Sequence, residues 1–207
     1  MKKWHQINTD YKNLQKIHDN PPLYECDHFL TDNECHKLIQ YGKKNLREST
    51  VVKLVNGKET YVKHTDRDSQ SCFLNNDNIK SITNKLSSLV NKDSKYFEGV
   101  QVGHYNKGGF YKSHQDAIDK NTELGKQFIE SRGQRIITVL IYLNDVPRGG
   151  CTYFDKLKLR CKPKKGKAVV FFPAYLDREI DQKALHCAET VIDEKWVSQL
   201  WIRDKIQ

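Results

Sequence analysis

No stretch of this 207-residue chain approaches the roughly 18 consecutive apolar residues that a membrane-crossing helix needs, so a transmembrane segment is not expected. The opening residues, Met1-Lys2-Lys3-Trp4-His5-Gln6, turn polar at once and lack the apolar run of a secretory leader. The chain therefore reads as soluble, not secreted and cytoplasmic. Cysteine occurs six times (Cys26, Cys35, Cys72, Cys151, Cys161, Cys187) but never as C-x-x-C. That spacing argues against a thiolate zinc site and, without a secretory signal, for mostly reduced thiols. Internal repeats and low-complexity tracts are absent as well.

Acidic residues are in deficit, 26 against 35 Lys and Arg, which leaves a net charge of +9. A basic balance suits a nucleic-acid or other anionic partner. The lysines are scattered, however, and no aromatic–arginine stacking pattern accompanies them, so a nucleic-acid partner ranks behind a plainly Lys-rich surface. The densest cluster, Lys162-Pro163-Lys164-Lys165-Gly166-Lys167, reads as a turn between strands.

The length suits one domain with a real core. Residues 1–22 read as an N-terminal extension, and 23–207 as the domain. Within it, a strand from Leu23 to Leu30 runs into Thr31-Asp32-Asn33-Glu34, a capping-box spacing, and a helix with Cys35, Leu38, Ile39 and Leu46 near one face. A second helix is predicted from about Asn76 to Val90. Between them, Asn56-Gly57 flanked by β-branched runs signals a hairpin. These helices make a helical support over about 31–92. From Glu98 onward short strand-like runs with Gly/Pro turns argue for a β-sandwich or jelly roll over about 98–203. The charged segment Ala117 to Gly133 reads as a solvated loop. The class is α+β, mostly β.

Phe110-Tyr111-Lys112-Ser113-His114-Gln115-Asp116 contains H-x-D. On an extended strand, residues i and i+2 share a face, so His114 and Asp116 present an imidazole and a carboxylate side by side. Such a pair supplies two legs of a facial triad for non-haem Fe(II). H-x-D alone recurs by chance. His186, 70 residues after Asp116 (186 − 116), offers a third leg if a jelly roll brings it across the barrel. Lys195 follows nine residues later (195 − 186), so one straight strand would put it on the opposite face from His186. A turn at Val191-Ile192-Asp193-Glu194 would place Lys195 on the adjacent strand, pointing into the same cavity as a point charge for a carboxylate. The alternative is a solvated surface lysine.

Ordered motifs surround these residues: Glu98-Gly99-Val100-Gln101-Val102-Gly103-His104-Tyr105, Gly109 through Asp116, Arg135 with Thr138, Tyr142-Leu143-Asn144-Asp145-Val146, Gly149-Gly150-Cys151-Thr152-Tyr153-Phe154, Leu185-His186, and Lys195-Trp196 with Trp201. In order and spacing, from about Leu23 to Arg203, the chain resembles the prolyl 4-hydroxylase branch of the Fe(II)- and 2-oxoglutarate-dependent dioxygenases. The resemblance implies a double-stranded β-helix (jelly-roll) core with N-terminal helices packed outside. It implies His114, Asp116 and His186 as iron ligands and Lys195 as the anchor for the C5 carboxylate of 2-oxoglutarate. Tyr105 matches a position near the cosubstrate, and Thr138 is expected at the same cavity. Arg67 and Ser69 resemble a motif ahead of the core and, with Arg135 and Trp201, are candidate substrate residues. Arg135 either pairs with a carboxylate near the rim or caps a strand, and Trp201 is either a core aromatic or a contact for a proline ring. His104 is expected to point away from Tyr105.

The chain departs from the family in having an offset of nine rather than ten between the distal His and the Lys, and in Cys187-Ala188-Glu189-Thr190 replacing a Gly/Pro-containing turn. Cys151 stands where the family commonly has an acidic residue. The implied activity is hydroxylation of peptidyl proline to 4-hydroxyproline with O2 and 2-oxoglutarate, giving succinate and CO2, with ascorbate as reductant and a proline-containing peptide or protein as partner. The alternatives are another 2-oxoglutarate oxygenase (lysyl, globular-protein prolyl, or nucleic-acid demethylase) and an inactive jelly-roll binding module. A lysine rather than an arginine anchor counts against the demethylase, and an intact triad against the inactive module. The sequence assigns neither a partner subunit nor an oligomeric state.

Overall fold

The Thr31 side chain accepts the amide of Glu34 while the Glu34 carboxylate accepts the Thr31 N–H, and this predicted capping box starts α1 (Asp32–Asn45). The apolar face of α1 carries Cys35 and Leu38, both buried. The second predicted helix begins with a single 3-10 turn at Asn76–Ile79 and continues as α2 (Lys80–Val90), burying Ile82, Leu86, Leu89 and Val90. The computed structural model describes residues 2–55, 58–62 and 65–207, and of 51–55 and 58–62 the backbone alone.

The strands are β1 (Leu14–Asp19), β2 (Pro22–Cys26), β3 (Arg47–Glu48), β4 (Val51–Val55), β5 (Lys58–Val62), β6 (Arg67–Asp68), β7 (Gln70–Leu74), β8 (Val100–Tyr105), β9 (Phe110–His114), β10 (Arg135–Tyr142), β11 (Thr152–Phe154), β12 (Leu159–Cys161), β13 (Ala168–Phe171), β14 (His186–Ala188) and β15 (Lys195–Arg203). They form an eight-stranded sheet in the order β1-β2-β13-β10-β15-β8-β7-β3 and a five-stranded sheet in the order β12-β11-β14-β9-β6. β4 and β5 pair with each other, as the hairpin signal predicts, while Asn56 and Gly57 lie outside the described residues. The two sheets make the expected jelly roll.

Strand alternation splits the main sheet into two faces. One face, with Val100, Val102, Val139 and Ile141, packs against α1 and α2. A Cβ on Gly42 of α1 would lie 2.7 Å from the Trp196 ring, so only glycine lets this helix approach the sheet so closely. The other face, with Tyr105, Leu140, Tyr142 and Phe171, meets Phe154 of the minor sheet inside the barrel.

Three local expectations change. Part of the segment 1–22 belongs to the sheet: β1 is its edge strand, Ile7 is buried in the core, and the Asn8 amide donates to the Leu89 carbonyl. β1 pairs through its backbone with few apolar side chains to announce it, as edge strands often do. The segment 117–133 carries a helix, α3 (Glu123–Arg132), capped by Thr122 and ended by Gly133 at φ +78°. α3 buries little beyond Gly125 and Ile129, so no apolar stripe marks it. The run from Leu23 stays extended only to Cys26 before turning into α1.

Candidate active site

His114 closes β9 and His186 opens β14, and the two stand directly opposite each other in antiparallel register. They are thus neighbours within one sheet rather than partners across the barrel. Asp116 sits in a bend two residues past β9. One ligand atom from each of His114, Asp116 and His186 falls within 4.8 Å of the others, with His114 Nε2 3.8 Å and His186 Nε2 3.9 Å from the Asp116 carboxylate. Among the described residues no other three His, Cys, Asp or Glu side chains gather this way.

Both imidazoles are oriented by the same device. His114 Nδ1 lies 2.8 Å from the carbonyl of Lys112, and His186 Nδ1 lies 3.0 Å from that of Ala184. A carbonyl can only accept, so Nδ1 carries the proton and Nε2 keeps a free lone pair. Thr138 Oγ1 donates to Asp116 Oδ2 at 2.8 Å, fixing the carboxylate. Burial, followed by the neighbouring His186, pushes the His114 pKa down to about 3. Burial alone would raise the Asp116 carboxyl, but His186, His114 and Arg135 outweigh it and hold it below the ordinary value. A neutral His114 and an ionised Asp116 are what a divalent cation requires of its ligands. Two imidazole nitrogens and one carboxylate match the donor set of a non-haem Fe(II) centre.

Lys195 opens β15 opposite Tyr105, so the turn after β14 carries the chain from the minor sheet to the main one. The lysine accordingly sits on the facing sheet, not on the adjacent strand, and the odd offset from His186 presents no obstacle. Lys195 is 1% exposed, and its Nζ donates to the Gly150 carbonyl at 2.6 Å and lies 5.4 and 5.5 Å from the ring centres of Tyr105 and Tyr142. Burial lowers its pKa to about 8. Among the described residues no carboxylate pairs with it, and a buried cation without an anion is costly. An incoming carboxylate would satisfy it, and Lys195 lines one pocket with Tyr105, His114, Thr152 and His186. The tight turn is held by Gly149 and Gly150, both at positive φ; a Cβ on Gly149 would meet the Thr190 carbonyl at 2.4 Å. The expected orientation of His104 holds: it stacks on Trp196 and pairs with Glu194, while Tyr105 faces the barrel.

Arg67 donates to Ser69 at 2.7 Å and its guanidinium lies 4.8 Å from the Tyr111 ring centre. Both Arg67 and Ser69 hydrogen-bond Tyr105, whose hydroxyl burial pushes to a higher pKa. Arg135 pairs with a carboxylate, as one reading expected: Glu98 accepts from it at 2.6 and 2.8 Å and also from Arg203 at 2.7 Å. The Arg135 guanidinium covers Trp201 at 3.9 Å, and the indole is only 7% exposed, which leaves it little area for a proline ring. Thr138 holds Asp116 rather than standing free in the cavity.

Sequence reasoning missed Tyr111, whose ring stacks on His114 with centroids 3.6 Å apart. Three residues apart on a strand should lie on opposite faces, but β9 spends three residues (114 to 111) where β14 spends two (186 to 188). That bulge turns Tyr111 to the metal side, and no spacing rule reveals it. Gln134 was also missed: it is fully buried and clamps the Ile118 backbone after Asp116 with its oxygen at 2.8 Å and its nitrogen at 2.8 Å.

With this geometry, comparisons with known proteins agree. The sequence model of the 2OG-Fe(II) oxygenase superfamily matches residues 100–203. A putative prolyl 4-hydroxylase of Acanthamoeba polyphaga mimivirus is 31% identical over 199 residues, covering 94% of this chain and 78% of that protein. Probable prolyl 4-hydroxylase 10 of Arabidopsis thaliana is 34% identical over 200 residues, covering 84% and 66%. Among solved structures, the viral collagen prolyl hydroxylase of Paramecium Bursaria Chlorella virus-1 in complex with 2-oxoglutarate superposes with a TM-score of 0.63 at 27% identity, covering 94% of this chain and 97% of that one. Triad, facing lysine, fold and relatives converge: the chain belongs to the 2OG-Fe(II) oxygenase superfamily and is an Fe(II)- and 2-oxoglutarate-dependent dioxygenase.

Proposed function

We propose that this dioxygenase is a prolyl 4-hydroxylase, converting peptidyl proline to 4-hydroxyproline, with Fe(II) on His114, Asp116 and His186 and with 2-oxoglutarate anchored on Lys195. The observation that carries the reading is one pocket shared by the two histidines and a buried lysine that, among the described residues, has no carboxylate partner. Bound ferrous iron would supply the redox chemistry by which O2 splits 2-oxoglutarate into succinate and CO2 and oxidises a C–H bond.

The chain's own residues do the rest. Lys195 takes the C5 carboxylate as a point charge. The carbonyls of Lys112 and Ala184 hold the histidine tautomers, and Thr138 holds the Asp116 carboxylate. Phe171 and Phe154, with ring centres 4.7 and 5.6 Å from His186, keep that side dry. Tyr111 lines the pocket with its ring stacked on His114, and Arg67 covers the Tyr111 ring. Proline as substrate is supported by the likeness to the mimiviral and plant prolyl 4-hydroxylases and to the viral collagen prolyl hydroxylase. Ascorbate is the reductant to supply, returning iron to the ferrous state.

The test is product mass spectrometry on a panel of proline-rich peptides beside methylated single-stranded DNA, with Fe(II), 2-oxoglutarate and ascorbate. Oxygen insertion at proline is expected. Demethylation of DNA with no change in any peptide would replace this reading with the demethylase one.

A further inference from the structure

Asp181 is fully buried, and among the described residues no Lys, Arg or His pairs with its carboxylate. Neutral donors satisfy it instead: Trp4 Nε1–H at 2.9 Å on Oδ2, the Lys183 amide at 3.0 Å on Oδ1, and the Tyr175 hydroxyl. Burying a carboxylate without a cation carries a desolvation cost that hydrogen bonds from neutral donors offset. What the carboxylate organises lies directly downstream. Asp181 caps a 3-10 turn, Gln182–Ala184, and its carbonyl accepts the Ala184 amide at 2.9 Å. Ala184 then presents the carbonyl that holds His186 Nδ1. The Asp181 carbonyl also accepts from Gln115, the residue between His114 and Asp116, at 3.4 Å. One carbonyl is therefore bonded to residues that flank both halves of the donor set, Ala184 before His186 and Gln115 between His114 and Asp116.

The far end of this chain of contacts lies in the segment that sequence patterning placed outside the domain. The Trp4 and Tyr175 ring centres are 5.3 Å apart, Lys2 Nζ lies 4.7 Å from the Tyr175 ring centre, and the Leu176 amide donates to the Lys3 carbonyl at 2.8 Å. Burial, helped by Asp181, pushes the Tyr175 hydroxyl up to about 12, so it remains a donor. Ile7 is buried in the core beyond.

We infer that residues 2–7 form a latch, closed by the Trp4–Asp181 hydrogen bond, that positions His186 as a metal donor. The inference rests on the metal-ligand assignment proposed above. Trp4 and Asp181 are positioning residues: they never reach the ion, and act through the turn before His186. Residues that orient metal-ligating histidines typically shift metal affinity by roughly 10- to 100-fold. Asp181 acts one step further out, so the lower end of that range is expected.

The experiment is Co(II) titration of the metal-free protein, following the ligand-field absorption and the dissociation constant, for wild type, Asp181→Asn, Trp4→Phe and His186→Ala. Trp4→Phe keeps an aromatic ring against Tyr175 while removing the N–H donor and part of the ring area, so the ligand-field absorption, which lost packing alone would not move, reports on the latch. Expected are a dissociation constant raised roughly tenfold in Asp181→Asn, a smaller rise in Trp4→Phe, and an altered absorption envelope in both. Wild-type affinity and absorption in both variants, whatever their melting temperatures, would overturn the latch while leaving the triad standing. Unchanged Co(II) binding by His186→Ala would instead overturn the ligand assignment, and the latch with it.

Discussion

The two sheets of the jelly roll differ in construction, and the difference follows what each contributes. The main sheet has long strands, β10 with eight residues and β15 with nine, buried almost throughout. It supplies Thr138 from within β10, Lys195 from the start of β15 and Tyr105 from the end of β8, each fixed in register by a paired strand. The minor sheet has strands of two to five residues with half-exposed positions and a bulge. It supplies the proposed metal ligands from two strand ends and the bend past β9, where hydrogen bonds fix each one: a carbonyl behind each imidazole, the Thr138 hydroxyl on Asp116, and the Gln134 clamp on the following loop. The main sheet fixes the proposed cosubstrate anchor by packing, and the minor sheet fixes the proposed metal ligands by hydrogen bonds.

The largest expected effect falls on the minor sheet. His186→Ala removes one of three donors, and equilibrium dialysis should find no tight Fe(II) at neutral pH; retention of wild-type affinity would break the comparison at its base. Next comes the main sheet's lysine. Removing the charge that meets a buried carboxylate costs about 2–5 kcal/mol, so Lys195→Ala should weaken 2-oxoglutarate by at least thirtyfold, roughly 1.4 kcal/mol being tenfold, while metal affinity stays unchanged.

The same residue gives a pH signature. Its folded-state pKa is lowered from 10.5 to about 8, so the cation is present below about pH 8 and lost above it. The affinity of the free enzyme for 2-oxoglutarate should therefore fall as pH rises through about 8. Lys195→Arg, charged throughout, should flatten that dependence, and a profile identical to wild type would contradict the assignment.

Stability should divide the sheets differently. Glu98 accepts from both Arg135 and Arg203, so Glu98→Gln leaves two largely buried guanidinium groups short of an anion. Burial would raise the Glu98 carboxyl, but the two arginines hold it below its ordinary value. The loss should be about 3 kcal/mol in denaturant unfolding, and should shrink in wild type only as pH falls below the ordinary carboxylate range, where Glu98 protonates. The smallest effect is Thr138→Val, which keeps shape and removes the donor on Asp116. Roughly tenfold weaker metal binding is expected, with the melting temperature close to wild type.

The parts of the molecule that could be read in the sequence are those governed by short-range periodicity or by ordered motifs. Thr31 and Glu34 announce α1 because a capping box is local chemistry. The H-x-D spacing names His114 and Asp116, although Asp116 lies in the bend past β9 and is held by Thr138 rather than by strand alternation. The alternating strand β8 sends Tyr105 inward and His104 outward. What escaped depends on tertiary contact. β1 is polar, and only its backbone pairing with β2 makes it a strand. α3 has caps but almost no buried face. Tyr111 reaches His114 through a bulge, and Asp181 becomes meaningful only when Trp4, 177 residues away, closes on it.

The central claim is that the two sheets converge on one oxidation, which requires iron and cosubstrate in the same pocket. The most direct measurement is 2-oxoglutarate turnover coupled to peptide product, for wild type and Asp116→Ala, with and without Fe(II). The account predicts succinate and 4-hydroxyproline in equal amounts from the iron-loaded wild type and neither from Asp116→Ala. Equal turnover by Asp116→Ala, or turnover indifferent to iron, would contradict it.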